Sequence, residues 1–376
     1  MNKIKLATVF SGIGSIEFAL RRLQIPYEVV FACDNGERDD VIYNHEDEFK
    51  KIKQMKTIME KHDYIEELYN NLTKKKNYVE ESYLANYKEC SRERFYQDIN
   101  LLDGTDFENE IDLFVGGSPC QSFSSVGFQG GLEDARGTLF YEFARLVDEI
   151  KPKVFIYENV RNLINHDKGR TWEIIQKIFH SLGYSINYEV LNSSDYGIPQ
   201  TRRRLFVVGY KDNSKQFSFP TKKELKFKMK DFLIDNCSYG NFNCDLFGDI
   251  IVNKSIGSVD SKYYLSPLLY DYVMKSGTKT WSQKPEINKD VARTILKTMG
   301  NRHRAGVDNY YSNDGSTDLG KVRMLTEREA HRLMGYTDDY KIVVSRAQAY
   351  KQAGNSIVVD VMMEIVKKII TDKVFD

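Results

Sequence analysis

The stretch that most constrains the fold is a short apolar run that stops abruptly at two glycines. Residues 113–115 (Leu-Phe-Val) are typical of a buried parallel strand. The glycines at 116–117 end this strand, because glycine lets the backbone take a path that side chains would block. Pro119 fixes its own φ angle and restricts Ser118, which stiffens the loop that follows. Cys120 is therefore predicted to stand at the carboxyl end of a strand, where open α/β sheets bind their ligands.

A second strand, glycine loop and helix are predicted near the start of the chain. Residues 4–10 have the pattern of a strand, residues 11–15 form a tight loop, and residues 16–23 have helical spacing. Such a loop allows close approach of a ligand to the N–H groups at a helix N-terminus, which is typical of nucleotide sites. The loop lacks the third glycine of the dinucleotide fingerprint, which disfavours a nucleotide-dependent oxidoreductase.

Strands and helices continue to alternate as far as about residue 215, which predicts an α/β fold with a largely parallel sheet. A strand over 27–34 ends in Asp34, which suits either a ribose acceptor or a helix N-cap. Apolar residues at helical spacing predict a helix over 139–150, and a buried strand follows at 154–157. The charged segment 38–95 is predicted to form one or two inserted helices, with a solvated face favoured over DNA contact.

The overall charge neither indicates nor excludes a nucleic-acid partner. Lys and Arg number 54, as do Asp and Glu, so the net charge is zero, but local patches set the binding field. After residue 215 the alternation fades, and basic residues are interleaved with apolar residues over 293–304. By composition this stretch is equally consistent with a nucleic-acid face and with an ordinary solvated surface.

The five cysteines indicate a reducing compartment. They form neither a CxxC pair nor a cluster at zinc spacing, so we expect no disulfide framework and no structural metal. The apolar run at the N-terminus is too short and too interrupted for a signal peptide, and no run approaches the length of a membrane span. The chain is expected to act in the cytoplasm, without contact with a membrane.

A lone cysteine is more often a small buried hydrophobe than a nucleophile, but the motifs around Cys120 reverse that expectation. Together, these motifs resemble the motif series of the C5-cytosine-specific DNA methyltransferases. In order they are Phe10-Ser-Gly-Ile-Gly14, Asp34, Asp98-Ile99, Gly116-Gly-x-Pro-Cys-Gln121, Gly137-x-Leu-Phe140, Glu158-Asn-Val160, Gln200-x-Arg-x-Arg204, Arg323-x-Leu-Thr-x-Arg-Glu329, Arg332-Leu-Met-Gly335 and Gln352-x-Gly-Asn-Ser356. The chain departs from the family pattern at Ser118, where Phe is usual, at Asn35, where an aromatic is common, and at Ser15, where Gly is usual.

The resemblance implies a fold and a cofactor. The fold is a Rossmann-like methyltransferase sheet with a smaller target-recognition domain, and the cofactor is S-adenosylmethionine. The family's cofactor motifs fall here on Phe10, Ser11, Gly12, Ile13, Gly14, Asp34, Asn35, Asp98, Ile99, Pro119, Leu139, Asn355 and Ser356. No metal is expected, because the sulfonium leaving group is already activated.

The resemblance also implies a covalent mechanism. Cytosine C5 is a weak nucleophile, and addition of a thiolate to C6 converts it into an enamine-like carbon. Cys120 is the implied nucleophile, and Glu158 would provide a proton or hydrogen bond to N3. Arg204 would hold the cytosine O2, Arg202 would support the loop or the cysteine-bearing site, and Asn159 would orient Glu158 and the turn before Cys120.

The implied substrate is a cytosine flipped out of double-stranded DNA. The residues implied to contact DNA are Gln121, Ser122, Ser124, Arg293, Thr294, Arg302 and Arg304. The expected catalytic domain comprises residues 1–215 plus 345–376, and the expected target-recognition domain comprises 216–344. We expect a monomeric enzyme of a bacterial or phage restriction–modification system, with an independently acting endonuclease as its counterpart.

Two alternatives remain at this stage. The first is C5-cytosine methylation of tRNA, which the length of the 215–320 region disfavours. The second is a catalytically silent nucleic-acid-binding protein, which the presence of Cys120, Glu158 and Arg204 disfavours.

Overall fold

The computed structural model describes residues 3–38, 41–119, 139–274 and 285–375. Cys120, Gln121, Ser122 and Ser124 therefore lie outside the described residues.

A seven-stranded sheet of order β3-β2-β1-β4-β5-β7-β6 forms the centre of the fold. Its strands are β1 (Ile4–Val9), β2 (Tyr27–Cys33), β3 (Phe95–Tyr96), β4 (Leu113–Gly116), β5 (Val154–Val160), β6 (Ser185–Asn192) and β7 (Arg203–Tyr210). The neighbours from β3 to β5 pair in parallel, whereas β7 pairs antiparallel with both β5 and β6. The predicted α/β fold is confirmed, and β4 occupies the predicted strand.

The described residues also form ten α-helices, some of which cover the two faces of this sheet. They are α1 (Ser15–Arg22), α2 (His45–Lys53), α3 (Ile58–Leu72), α4 (Tyr78–Asn86), α5 (Leu139–Ile150), α6 (Arg170–Ser181), α7 (Pro267–Met274), α8 (Glu327–Arg332), α9 (Arg346–Asn355) and α10 (Val359–Thr371). Four short strands complete the described elements: β8 (Phe242–Cys244), β9 (Ile250–Val252), β10 (Tyr310–Tyr311) and β11 (Arg323–Met324). No helix in the described part of the chain combines the length and apolar character needed to cross a membrane.

Alternate residues of the central strands pack into two separate cores. Leu6 and Ile156 belong to one core, together with residues of α1 and α10. Ala7 and Phe155 belong to the other, together with residues of α5 and α6. Because both faces are covered, the central strands are mostly apolar, which explains the near-continuous apolar runs in the sequence.

The inserted segment differs from its prediction in two respects. It forms three helices, α2, α3 and α4, rather than one or two. It also buries a substantial face: Ile52 and Tyr69 enter one core, and Tyr83 enters the other. Tyrosine carries a large apolar ring beneath its hydroxyl group, so a segment that is polar by composition can still pack closely against the sheet.

Residues beyond 215 pack into the same core as the sheet. Phe232, Leu333 and Tyr336 join the cluster that contains Leu6. The predicted start of α8 is confirmed by a capping box between Thr326 and Glu329. The division of the chain into domains at 215 and 345 stays a prediction.

His331 gives the fold a specific dependence on pH. The residue is fully buried in α8, its Nδ1 lies 2.7 Å from the Glu327 carbonyl oxygen, and its ring stacks on Tyr340. Burial lowers the pKa of His331 to about 4, so its stabilising contribution is complete above the unfolded pKa near 6.5 and is lost as pH falls towards 4. His331→Phe keeps a ring but does not titrate. Between pH 7 and pH 5 we expect the free energy of unfolding of the wild type to fall by about 2 kcal/mol more than that of His331→Phe. Urea unfolding at both pH values measures this difference, and equal losses would contradict the assignment.

Candidate active site

A cavity of about 280 Å³ opens where β1, β2, β4 and β5 end. The predicted site residues that line it are Phe10, Gly12, Ile13, Asp34, Asn35, Pro119, Glu158, Asn159, Arg202, Arg204 and Asn355. The topology thus brings together residues that are far apart in the sequence, such as Phe10 and Asn355. They meet at the carboxyl ends of the strands, where α/β sheets bind ligands.

The loop after β1 is held in an unusual backbone conformation. Phe10, Gly12 and Gly14 have φ angles of 52°, 54° and 73° respectively. A non-glycine residue at positive φ is strained, and such residues cluster at functional sites. Gly14 also needs to be glycine for space, because a Cβ there would meet the ring of Tyr87. The loop after β1 is thereby held against the inserted segment.

Asp34 joins the loop after β1 to the loop after β2. Its Oδ2 accepts a hydrogen bond from the Gly12 amide and its Oδ1 from the Gly36 amide, both at 2.9 Å. Burial raises the pKa of Asp34, and these two amide hydrogen bonds oppose the rise. The N-cap of the next α-helix is Asn44, so the helix N-cap interpretation of Asp34 is wrong.

Glu158 and Arg204 form the charged pair of the cavity wall. The Arg204 Nε lies 3.2 Å from the Glu158 Oε1. Gly117 permits the close approach of Glu158, because a Cβ at 117 would lie 2.9 Å from its carbonyl oxygen and 3.0 Å from its Oε2. Burial raises the pKa of Glu158, against the lowering effect of Arg204 and Arg202. The carboxyl therefore combines an affinity for a proton with access to the cavity.

A polar network holds the turn that leads to Cys120. The Ser118 Oγ lies 2.6 Å from the Tyr157 hydroxyl oxygen. The Asn159 Nδ2 donates to the Ser118 carbonyl oxygen and to the Tyr157 hydroxyl oxygen, each at 2.9 Å. Serine at 118 therefore takes part in a buried network, which gives this departure from the family pattern a structural role.

Arg202 connects three parts of the chain. Its guanidinium donates to the carbonyl oxygens of Ile295, Gly354 and Ser356 at 2.8–2.9 Å. Burial and the neighbouring Arg204 lower the pKa of Arg202 to about 9, and Glu158 opposes this effect. Its Nε atom has no hydrogen-bond partner among the described residues. The side chain thus ties the start of β7 to α9 and to the segment that contains Ile295. Its support of the loop or of the cysteine-bearing site stays a prediction.

A comparison with known families and proteins agrees with this geometry. The model of the C-5 cytosine-specific DNA methylase family matches residues 66–371. The chain belongs to this family. It is therefore a methyltransferase that acts on C5 of cytosine in DNA. The Type II methyltransferase M.SsoII of Shigella sonnei is 34% identical over 306 residues, which cover 78% of this chain and 72% of that relative.

Two further comparisons support the assignment of family and fold. The Type II methyltransferase M.HhaI of Haemophilus parahaemolyticus is 38% identical over 256 residues, covering 68% of this chain and 74% of that relative. The crystal structure of the S. pombe Dnmt2 methyltransferase superposes with a TM-score of 0.64 at 16% identity, covering 97% of each chain. The structural likeness is evidence for the fold alone.

The segment of this methyltransferase that was predicted to read DNA runs beside the cavity wall. The Thr294 Oγ1 donates to the Thr201 carbonyl oxygen at 2.6 Å, and the Ile295 amide donates to the Gln200 Oε1 at 2.8 Å. The charged residues of this region have protein partners: Arg293 lies 3.3 Å from Glu286, and Arg304 lies 3.3 Å from Asp308. Arg302 is exposed. Contact of these residues with DNA stays a prediction.

Several predicted cofactor residues do not line the cavity. They are Ser11, Gly14, Asp98, Ile99, Leu139 and Ser356. The Asp98 Oδ2 accepts hydrogen bonds from the hydroxyls of Tyr43 and Tyr69, both of which belong to the inserted segment. Leu139 lines a different cavity, beside Tyr43.

Other cavity residues were not predicted from the sequence. They are Gly36, Glu37, Tyr78, Val79, Gly117, Ser118, Val160, Lys297, Gln348, Lys351, Gln352 and Gly354. Five of them lie inside the recognised motifs but were not assigned to the site, namely Gly117, Ser118, Val160, Gln352 and Gly354. Gly36, Glu37 and Lys351 lie within two residues of a recognised position, so a wider assignment around each motif would have found them. Tyr78 and Val79 lie in the inserted segment and Lys297 in the predicted target region, where the sequence carried no signal for a cavity wall.

We expect Arg202→Met to destabilise the protein by about 3–5 kcal/mol, because carbonyl oxygens in the interior lose a charged donor. Arg203→Met is the matched control, since Arg203 is the exposed next residue and begins β7. Urea unfolding of both variants measures the difference. A similar unfolding free energy for the two would show that the contacts of Arg202 contribute little to stability.

Proposed function

We propose that this methyltransferase transfers a methyl group from S-adenosylmethionine to C5 of a cytosine flipped out of a short, specific double-stranded DNA sequence. The observation that carries the proposal is the Glu158–Arg204 pair, which faces the cavity beside the Gly117–Pro119 turn. Cys120, the proposed nucleophile, follows in sequence directly after Pro119, and the Ser118–Asn159 contact supports the described turn that precedes it.

Cys120 is assigned the attack on the pyrimidine ring. Its thiolate forms a bond to C6, and the electron pair of the C5=C6 bond moves into the ring towards N3. Glu158 hands a proton to N3, which gives C5 the character of an enamine carbon. The methyl group would come from the bound sulfonium, which would leave as a neutral thioether. The C5 proton then leaves to a base, the S–C6 bond breaks to release the Cys120 thiolate, and N3 returns its proton to Glu158 as the ring recovers its aromaticity.

The electrostatics of the wall suit these roles. The raised pKa of Glu158 favours the protonated carboxyl that the step at N3 requires. Arg204, whose Nε is 3.2 Å from Glu158, is placed to donate to the cytosine O2 as negative charge develops on the ring. Asn159 acts on the turn through the Ser118 carbonyl oxygen.

The chemical character of the cavity fits the proposed cofactor. Asp34 presents a carboxylate between two loops, which suits the hydroxyls of a ribose. Tyr78, from the inserted helix α4, lines the cavity with 37% of its surface exposed, which suits a purine ring. The proposed walls of the cofactor site are Phe10, Gly12, Ile13, Asp34, Asn35, Pro119 and Asn355. When bound, S-adenosylmethionine supplies an electrophilic methyl group on a sulfonium.

The biological setting is proposed from the relatives. M.SsoII and M.HhaI are Type II methyltransferases, which supports the modification of one short sequence in a restriction–modification system. We propose that the enzyme acts as a monomer on DNA in the bacterial cytoplasm, independently of any partner endonuclease. The region around Arg293 and Thr294 is proposed to read the sequence.

The test of this function is methyl transfer from labelled S-adenosylmethionine to unmethylated genomic DNA, with total tRNA in a parallel reaction. We expect label at C5 of cytosine within one short DNA sequence, located by base-resolution mapping. Cys120→Ser should bind DNA and S-adenosylhomocysteine but transfer no methyl group. Label in tRNA alone would overturn the DNA substrate, and normal turnover by Cys120→Ser would overturn the covalent mechanism.

We expect Glu158→Gln to lower kcat by about 10²–10⁴-fold, because an amide cannot deliver the proton to N3. Glu189→Gln, at an exposed acid on the edge strand β6, is the matched control and should keep wild-type activity. Single-turnover methylation of a DNA duplex of the mapped sequence measures the rate. Wild-type turnover by Glu158→Gln would remove its role at N3.

We expect Tyr78→Ala to weaken the binding of S-adenosylhomocysteine by about tenfold or more, because a stacked aromatic ring is worth about 1–3 kcal/mol per base. Tyr78→Phe should retain the affinity, and Tyr188→Ala, at a similarly exposed tyrosine on β6, should not alter it. Isothermal titration calorimetry measures the three affinities. An unchanged affinity in Tyr78→Ala would place the purine elsewhere.

A further inference from the structure

The carboxylate of Glu37 joins three parts of the chain at the wall of the cavity. Its Oε1 accepts a hydrogen bond from the Asn355 Nδ2 at 2.6 Å and lies 3.4 Å from the Lys297 Nζ. Its Oε2 lies 2.6 Å from the Lys351 Nζ. All four residues line the cavity. The contacts therefore connect the loop after β2 with α9 and with the segment near Ile295.

The backbone at Glu37 is held in a conformation that aims the side chain. Its φ angle is 56°, in the left-handed region that non-glycine residues rarely adopt. The Glu37 amide donates to the Asn35 Oδ1 at 2.9 Å, and the Gly36 amide donates to Asp34. A strained backbone conformation persists only where the surrounding contacts enforce it. The contacts around Glu37 therefore fix the position of its side chain.

The opposite side of the contact is also anchored. A Cβ at Gly354 would meet the backbone of Lys297, so α9 and the segment of Lys297 pack with their main chains in direct contact. Arg202 binds the carbonyl oxygens of Ile295 and Gly354, which fixes the same two parts of the chain. Lys297 and Lys351 thus lie on two segments that are held together, and Glu37 contacts both lysines from the loop after β2.

We propose that Glu37 is a positioning residue that closes the loop after β2 onto α9 and the Lys297 segment and thereby retains the cofactor in the cavity. The inference rests on the proposed function, because it takes the cofactor to be S-adenosylmethionine. Asp34 and Glu37 belong to one loop, so the contacts of Glu37 with Lys351 and Asn355 also hold Asp34 at the cofactor side of the cavity.

The charge state of Glu37 agrees with this role. Burial raises the pKa of Glu37, but the contacts with Lys351, Asn355 and Lys297 outweigh it and leave the pKa below its usual range. The carboxylate is therefore ionised at neutral pH, and salt should weaken its ion pairs because the side chains remain partly exposed.

The test compares Glu37→Gln with the wild type in the binding and release of S-adenosylhomocysteine. Glutamine keeps the length of the side chain and removes the charge. We expect the affinity to fall about five- to tenfold, chiefly through faster release, because two ion pairs and a charged hydrogen bond are lost. Calorimetry gives the affinity and stopped-flow displacement gives the release rate. We also expect KM for S-adenosylmethionine to rise while kcat at saturation stays near the wild-type value.

Two further variants separate positioning from general stability. Glu108→Gln is the matched control, since Glu108 pairs with Lys151 at 2.6 Å on the surface, outside the cavity lining. It should leave S-adenosylhomocysteine release unchanged. Lys351→Met should reproduce part of the effect of Glu37→Gln, since it removes one of the two ion pairs, and the double variant should bind no more weakly than Glu37→Gln alone.

The possible results distinguish this inference from the proposed function. If the wild type binds S-adenosylhomocysteine and Glu37→Gln has the same affinity and release rate, the retention role of Glu37 is overturned while the proposed function stands. A wild-type protein that binds no S-adenosylhomocysteine overturns the proposed function, and the inference with it. Additive effects of Glu37→Gln and Lys351→Met overturn the bridge between the two residues.

Discussion

The buried guanidinium of Arg202 is the contact on which the architecture of the site depends. Arg202 directly precedes β7 and donates to the carbonyl oxygens of Ile295, Gly354 and Ser356. A planar group with several N–H donors can satisfy carbonyl oxygens from different directions, which a lysine ammonium in the same place could not do with the same geometry. This contact joins the segment near Ile295 and the end of α9 to a single residue beside the sheet.

The chemistry of the wall follows from what this attachment brings together. Glu158 lies near the end of β5 opposite Phe206 of the antiparallel β7, and Arg204 lies two residues from Phe206, so the register makes Glu158 and Arg204 diagonal neighbours on one face. Gly117, at the end of β4, has no side chain to obstruct Glu158. Two opposing effects act on the pKa of the Glu158 carboxyl. Burial favours the protonated form and raises the pKa, whereas the two nearby arginines favour the ionised form and lower it.

The inserted segment shows how a polar sequence can become part of a site. Its composition predicted a mostly solvated face, but the structure packs Tyr69 and Tyr83 into the two cores and places Tyr78 at the cavity. The Asn77 Nδ2 donates to the Asp34 carbonyl oxygen at 2.7 Å, which fixes the start of α4 against the loop after β2. Two tyrosines of the segment, Tyr43 and Tyr69, donate hydrogen bonds to the Asp98 carboxylate. Asp98 therefore holds the segment in place and does not line the cavity.

The sequence by itself determined the alternation of strands and helices, the glycine loop after β1 and the family motifs, because periodicity, glycine positions and motif spacing are local properties of the chain. Helix α5 and the capping box of α8 were predictable for the same reason. Only the tertiary structure decided that Asp34 joins two loops, that Arg202 holds the segment near Ile295, and that Glu37 and Tyr78 reach the cavity. These contacts join residues far apart in the chain, and the packing of the sheet, the insertion and α9 brings them within bonding distance.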